Sequence, residues 1–405
     1  VKPACLVQSE EVSTNRTLAD SRLVSLLQDL LSEEQLPPLD RWFSHQAKGR
    51  GWTVLEQRQL WNELRKAMVR GYELLPSAGA ASETFWAGFR IAIRGRAQEW
   101  AVRTAHKPVG KLTPVAAGIP GWLNQEWEDR LERSRWSEEA QQVFLESQEV
   151  PAPVYVRFQY GTLGEACQNR FSSLGLIEPT EIAGFYRLTG LQGLETSEEW
   201  KKGLVEIQDA SSQLSLRKLG LRPGQRVWDV CAGRGGKTLL AATELRGKGA
   251  LVATDVAEMK LKSLKDRVRR SGYQNIRLLP WGGDELPDFG LEFAQGGGFD
   301  RVIVDAPCSA SGTWRRDPES RYRLTPRMLN ELEKHQQRLI RLGWNALKPG
   351  GLMAYITCSW FPRENEKIIE EFCDESGAAV VHQELLGIPL FDANTLFVAI
   401  LEKQR

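Results

Sequence analysis

An α/β fold, built on a mostly parallel sheet with helices on both faces, is predicted for the C-terminal part of this 405-residue chain. It is preceded by a small α/β unit and an all-helical segment. Three observations carry that expectation. After Arg222-Pro223-Gly224, short apolar runs alternate with amphipathic stretches, the rhythm of strand, crossover helix and parallel strand. The first of those runs opens directly into a glycine-rich turn, Cys231 to Lys237, as ligand-receiving strand-to-helix turns do. From about Thr17 to Leu75, by contrast, leucines recur at three-and-four spacing with no strand-like alternation.

Composition bounds the possibilities. Charged residues make up 26% and the formal net charge is only +1, so a global basic field is excluded while local basic patches are not. The six cysteines, at positions 5, 167, 231, 308, 358 and 373, form no CxxC pair, which speaks against a zinc site and a disulfide framework. A reducing cytoplasm is expected. No apolar run approaches the roughly 18 residues needed to span a bilayer, and VKPACLVQSE lacks the apolar core of a signal peptide. The absence of an initiator Met suggests a trimmed start. Neither a metal ion nor a membrane is expected, and a monomer is.

The first elements are helices: Leu23, Leu26, Leu27, Leu30 and Leu31 form one stripe, and Leu60, Leu64, Met68 and Tyr72 another. Such stripes make cores. Thr84 to Thr104 reads as a further helix carrying Arg90, Arg94, Arg96 and Arg103, either a solvated face or a phosphate-binding one. Pro and Gly interrupt the chain from Lys107 to Ile119, and a helix bearing Trp122, Trp127 and Trp136 follows. PAPVYVRFQYG alternates as a strand does, and EACQNRFSSLG reads as a short helix ending at Gly175. These give expected domains of 1–145, 146–215 and 216–405.

In the last domain Val227 to Val230 is a strand, and Leu239 to Leu245 a helix. ALVATD, IRLLP, FDRVIVDAP and GLMAYITC continue the sheet, with a long helix from about Pro326 to Leu347, and FVAILEK is expected to close it as an edge strand. A helix with Leu261, Leu264 and Val268 on one side carries Lys and Arg on the other. Glycines after the first strand let the backbone approach a ligand, and the helix start beyond them offers free N–H groups to an anion. A nucleotide-like ligand fits such a place. Gly236-Lys237-Thr238 with Asp305 mimics a P-loop and its metal-binding Asp, but that motif requires Gly at position 231, which is Cys. In the other reading Asp255 takes ribose hydroxyls and Asp284 the adenine end. Two strands also deliver thiols, Cys308 after Asp305 and Cys358 in ITCSW; buried small core residues are the plainer reading of either alone.

DVCAGRGGKT, the aspartates at 255 and 284, DAPCSASGTWRRDPE and TCSWFPRENE resemble the successive motifs of the Nop/Sun-type (Fmu-like) RNA cytosine-5 methyltransferases. EIQDASSQ, Glu206 to Gln213, is similar to the segment that precedes their catalytic domain. The resemblance runs from about Val154 to Arg405, and the helical region before it looks like the NusB-like domain of the bacterial ribosomal-RNA members. The paired PC and TC motifs are specific; a glycine-rich loop alone is not.

The resemblance implies a Rossmann-like domain dependent on S-adenosylmethionine, held by Cys231, Ala232, Gly233, Arg234, Gly235, Gly236, Lys237, Asp255, Asp284 and Asp305. One departure stands in that loop, Gly233-Arg234 where the family has Ala-Pro. It implies Cys358 as the nucleophile that adds to carbon 6 of cytosine, Asp305 at the base's Watson–Crick edge, and Cys308 in product release. The expected partner is RNA, above all 16S ribosomal RNA. A transfer-RNA enzyme, a DNA enzyme using the Pro-Cys thiol, and a catalytically idle RNA-binding protein are the alternatives. Trp314, Arg315, Arg316, Arg321, Arg323 and Arg327 are expected to stack on a base and bind phosphates.

Overall fold

Apolar residues on both faces of a strand need cover on both faces, and the second part of this chain supplies it. The computed structural model describes residues 12–71, 86, 89, 95, 97, 100, 101, 104, 111–190, 193–290 and 297–404, with only the backbone of 12–20. Two compact units result. One comprises residues 1–151 with 314–326, the other 152–313 with 327–405.

The first unit is helical: α1 (Val12–Ser32), α2 (Leu39–Lys48), α3 (Val54–Arg70), α4 (Asn124–Ser134) and α5 (Glu138–Ser147). Thr53 starts α3 with a capping box, its hydroxyl accepting from Glu56 N–H while the Glu56 carboxylate accepts from Thr53 N–H. Of the expected stripes, Leu23, Leu26, Leu27, Leu30, Leu60, Leu64 and Met68 are core together with Trp100, Leu31 is partly buried against it, and Tyr72 lies outside the described residues. Arg90, Arg94, Arg96 and Arg103 lie outside the described residues.

Residues 314–326 complete this unit, beyond the helical domain expected over 1–145. Tyr322 lies in the leucine core and its hydroxyl donates to Met68 O at 2.5 Å. Leu39 N–H donates to Glu319 at 3.2 Å, and Arg65 donates to Arg316 O at 2.7 Å and to Arg315 O. Arg321, fully buried, donates to Ala117 O and Gly118 O at 3.1 and 3.0 Å and lies over the Trp314 ring. Arg315 donates to Val150 O, and Arg323 to Leu36 O and Pro37 O. The expectation that this run presents a stacking platform is corrected. Trp314, Arg315 and Arg321 are buried, because loop carbonyls closed off from water need donors and guanidinium groups supply several each. Of the other expected phosphate ligands, Arg323 and Arg327 are exposed and Arg316 half-buried.

The second unit opens with a four-stranded antiparallel sheet of order β2-β3-β1-β4, from β1 (Tyr155–Phe158), β2 (Ile177–Pro179), β3 (Tyr186–Leu188) and β4 (Val205–Ile207). Helices α6 (Thr162–Ser173), α7 (Glu198–Lys201) and α8 (Ala210–Arg217) accompany it. A seven-stranded sheet follows, made of β5 (Arg226–Asp229), β6 (Ala250–Asp255), β7 (Ile276–Pro280), β8 (Phe299–Asp305), β9 (Leu347–Thr357), β10 (Ala379–Leu386) and β11 (Leu396–Glu402). Its order is β10-β11-β9-β8-β5-β6-β7, with β5 to β9 parallel and β11 antiparallel to both of its neighbours, β9 and β10. The closing strand FVAILEK is therefore interior. The edge is β10, whose Val380 and Val381 are exposed and which shows no clean apolar run to read.

Between the strands run α9 (Gly236–Glu244), α10 (Glu258–Ser271), α11 (Pro326–Ala346) and α12 (Glu366–Ser376). Alternate residues of the central strands face opposite helices: Val302, Val304, Met353 and Tyr355 pack with Leu339, Ile340, Ile368 and Phe372. Ile303, Ala354 and Ile356 pack instead with Leu216, Leu240 and Leu245. Covering a Val or Ile this completely is worth roughly 1.5–3 kcal/mol each, which is why these strands read as unbroken apolar runs. No described helix is long and apolar enough to cross a membrane.

Candidate active site

Strand order decides what meets. From β5 the chain builds outward through β6 and β7, then returns to place β8 on the other side of β5 and β9 beyond it. The carboxyl ends of β5, β8 and β9 thus lie side by side at a topological switch point, where ligands of such sheets gather. Each carries a motif: the glycine-rich turn after Asp229, Asp305 and Cys308 after β8, Cys358 after β9. The register pairs Asp305 with Ile356, so Cys358 falls just past the level of Asp305.

The two sulfurs are 3.3 Å apart, and both cysteines are half-buried and free of disulfides. The neighbouring Cys358 sulfur, with burial, pushes the Cys308 thiol well above its ordinary value. Lys237 reaches across from the first turn of α9 to Asp305, Nζ to Oδ2 2.8 Å, with its side chain 9% and that of Asp305 33% exposed. Burial alone would lower the lysine, but the Asp305 charge and hydrogen bond outweigh it, with a further contribution from Cys358, and its pKa rises. Lysine, carboxylate and two thiols therefore form one polar centre.

Asp229, fully buried, accepts from Thr238 Oγ1 at 2.6 Å, and burial raises its carboxyl to about 7. Burial likewise pushes the Cys231 thiol well up, away from the reactive thiolate form. Asp255 ends β6 and binds the loop backbone, its oxygens accepting from Gly233 N–H and Ala257 N–H at 2.8 Å each. Gly233 (φ +56°) and Gly235 (φ +88°) take the left-handed conformation that the tight turn needs, and Gly235 caps α9. Both residues of the Gly233-Arg234 departure are held through their backbone. Gly233 N–H is held by Asp255, Arg234 O accepts from Arg267 at 2.5 Å, and the Arg234 side chain is exposed. Ala232 is buried, and space is open where a Cβ would stand on Gly233.

Asp284 departs from the polar centre's pattern. It is 76% exposed and pairs with Arg338 of α11 at 2.8 Å. The EIQDASSQ segment serves as a brace: Asp209 caps α8 through Ser211 N–H, and buried Glu206 binds Arg267 and Arg270 of α10 at 2.6 Å each. Gln336, Glu364 and Asn365 also belong to the buried shell around the centre and were not singled out from the sequence, although the acid and amide of RENE stand just past the Thr-Cys pair; Thr238 entered there only through the P-loop mimic.

The glycine-rich cradle after β5, the acid ending β6 and the sheet order with its reversed β11 define a Rossmann-like methyltransferase domain. Residues 217–392 match the family model described as 16S rRNA methyltransferase RsmB/F. Ribosomal RNA small subunit methyltransferase B of Enterobacter sp. (strain 638) is 30% identical over 289 residues, 67% of this chain and 62% of that protein. The chain thus spans less than two thirds of the length of that curated relative. A methyltransferase homolog protein from Pyrococcus horikoshii is 25% identical with a TM-score of 0.53, covering 68% of this chain and 98% of that one. The structure titled PH0851 shares the fold at a TM-score of 0.69 and 22% identity, over 95% and 98% of the two chains.

Proposed function

We propose that the chain is an RNA (cytosine-5)-methyltransferase that modifies small-subunit ribosomal RNA through a covalent cysteine adduct. The observation that carries this reading is the paired thiols, 3.3 Å apart at adjoining strand ends, with the Lys237–Asp305 pair at the same sheet edge. The names of the bacterial relatives support the ribosomal substrate.

Carbon 5 of cytosine is a poor nucleophile until carbon 6 carries an added group. Cys358 supplies that group: its thiolate forms the S–C6 bond while the ring nitrogen at position 3 takes the proton of a protonated Asp305, which holds that edge of the base and is left as the carboxylate. Lys237 fixes the Asp305 carboxylate and puts positive charge near the attacking sulfur. S-Adenosylmethionine supplies the electrophilic methyl group. Gly233, Gly235 and Gly236 give it backbone access, and the Asp255 carboxylate, already anchored to Gly233, stands where ribose hydroxyls bind. Asp284 is the expected contact for the adenine end. The carbon-5 proton passes to solvent, assisted by Cys308, which restores the 5,6 double bond and returns the electron pair to Cys358 sulfur as the C–S bond breaks. Reaching such a centre requires the base to leave its stack, at a few kcal/mol for a paired base and less in a loop, so an opened RNA segment is the substrate. RNA reaches it without a platform from Trp314, which is buried.

Incubating the protein with unmodified 16S ribosomal RNA and tritiated S-adenosylmethionine, then digesting the RNA to nucleosides, tests the reading. Label in 5-methylcytidine, lost in Cys358→Ala, is expected. Label in another nucleoside, or 5-methylcytidine formed by Cys358→Ala, would refute it.

A further inference from the structure

Each active-site thiol is followed by a serine, and the two serines meet. Ser309 Oγ lies 3.2 Å from Ser359 Oγ, and Ser311 Oγ lies 3.0 Å from the same atom. At the centre of this buried cluster stands Glu364. Its carboxylate accepts from Ser309 N–H at 2.8 Å, from Ser309 Oγ at 2.5 Å and from Gln336 Nε2 at 3.0 Å. Gln336 Nε2 also donates to Pro307 O at 2.9 Å. The residues on both sides of Cys308 are therefore tied to Glu364, directly or through Gln336.

The next residue in the chain does the same for the other thiol. Asn365 Oδ1 accepts from Thr357 Oγ1 at 2.5 Å, and its Nδ2 donates to Ser359 O at 2.9 Å, which holds both neighbours of Cys358. Glu364, Asn365, Gln336, Thr357 and Ser359 are all fully buried. A buried carboxylate that served packing alone would be a poor choice, since an apolar side chain of similar volume avoids the desolvation cost. Here the negative charge also opposes ionisation of Cys308.

We propose that Glu364 and Asn365 are positioning residues which clamp the Pro-Cys turn to the Thr-Cys strand end and set the sulfur-to-sulfur separation on which product release depends. The proposal rests on the reading that Cys358 attacks and Cys308 releases. Misplacing Cys308 by about an ångström then slows release by about 10²-fold and leaves the attack itself possible.

The test uses the full chain with in-vitro-transcribed 16S ribosomal RNA and S-adenosylmethionine. Turnover, the covalent protein–RNA band on a denaturing gel and the melting temperature are measured for wild type, Glu364→Ala, Glu364→Gln and Cys308→Ala. Glu364→Gln keeps the volume and removes the charge, so it serves if the alanine variant fails to fold. Turnover about 10²-fold lower with an accumulating covalent band, as in Cys308→Ala, is expected for Glu364→Gln. Turnover within twofold of wild type would overturn the proposal. So would a loss of turnover without the band, or in step with a lowered melting temperature. If Cys308→Ala itself gives no band, the two-thiol reading fails and the clamp has no release step to serve.

Discussion

Asp229 ends β5 fully buried, with one oxygen bound to Thr238 and the other without a protein partner. Burial raises its carboxyl from the unfolded value of 3.8 to about 7. A raised acid binds its proton more tightly in the fold, so its contribution to stability is complete below the unfolded value and is lost as pH rises through the folded one. We expect Asp229→Asn to flatten the slope of stability against pH between about 4 and 7, as read by urea unfolding at a series of pH values. Identical slopes in both proteins would contradict the assignment. The residue types of the centre were legible in the sequence, because PC, TC and GGKT are short motifs at strand ends. Their pairings were not: Lys237 with Asp305, and Glu206 with Arg267 and Arg270, join residues far apart in sequence.

At the scale of elements, burial on both faces made β5, β6, β8 and β9 readable as apolar runs, and the stripes of α1 and α3 equally so. What failed was position within the sheet. FVAILEK looks like an edge because it ends the chain, yet a less apolar strand, β10, hydrogen-bonds to its outer side. The segment 314–326 failed for a different reason. Arginines beside a tryptophan read as a nucleic-acid surface, whereas here their guanidinium groups satisfy carbonyls inside the helical unit. Arg321→Ala orphans two such carbonyls and opens a void, and we expect a loss of about 3 kcal/mol with RNA binding keeping its salt dependence. Thermal melts and filter binding across salt concentrations check this. A salt slope smaller by about one, with stability unchanged, would return Arg321 to the RNA interface.

For the molecule as a whole, the sequence placed a helical region before a nucleotide-binding sheet, and two compact units are found. It could not show that each of them is assembled from two separate stretches of chain, because strand and helix periodicity carry no record of which core a loop enters. Residues 314–326 leave the sheet-bearing chain six residues after Cys308 and are counted with the helical unit. The sheet order, in turn, makes the site: three strand ends bring two thiols, an acid and a lysine together from motifs scattered between Asp229 and Cys358. The division of labour between those thiols is tested most directly by isolating the covalent protein–RNA product of Cys308→Ala and sequencing its cross-linked peptide by mass spectrometry. The RNA is expected on Cys358, with none on Cys358→Ala. An adduct formed by Cys358→Ala through Cys308 would reverse the roles and contradict the account.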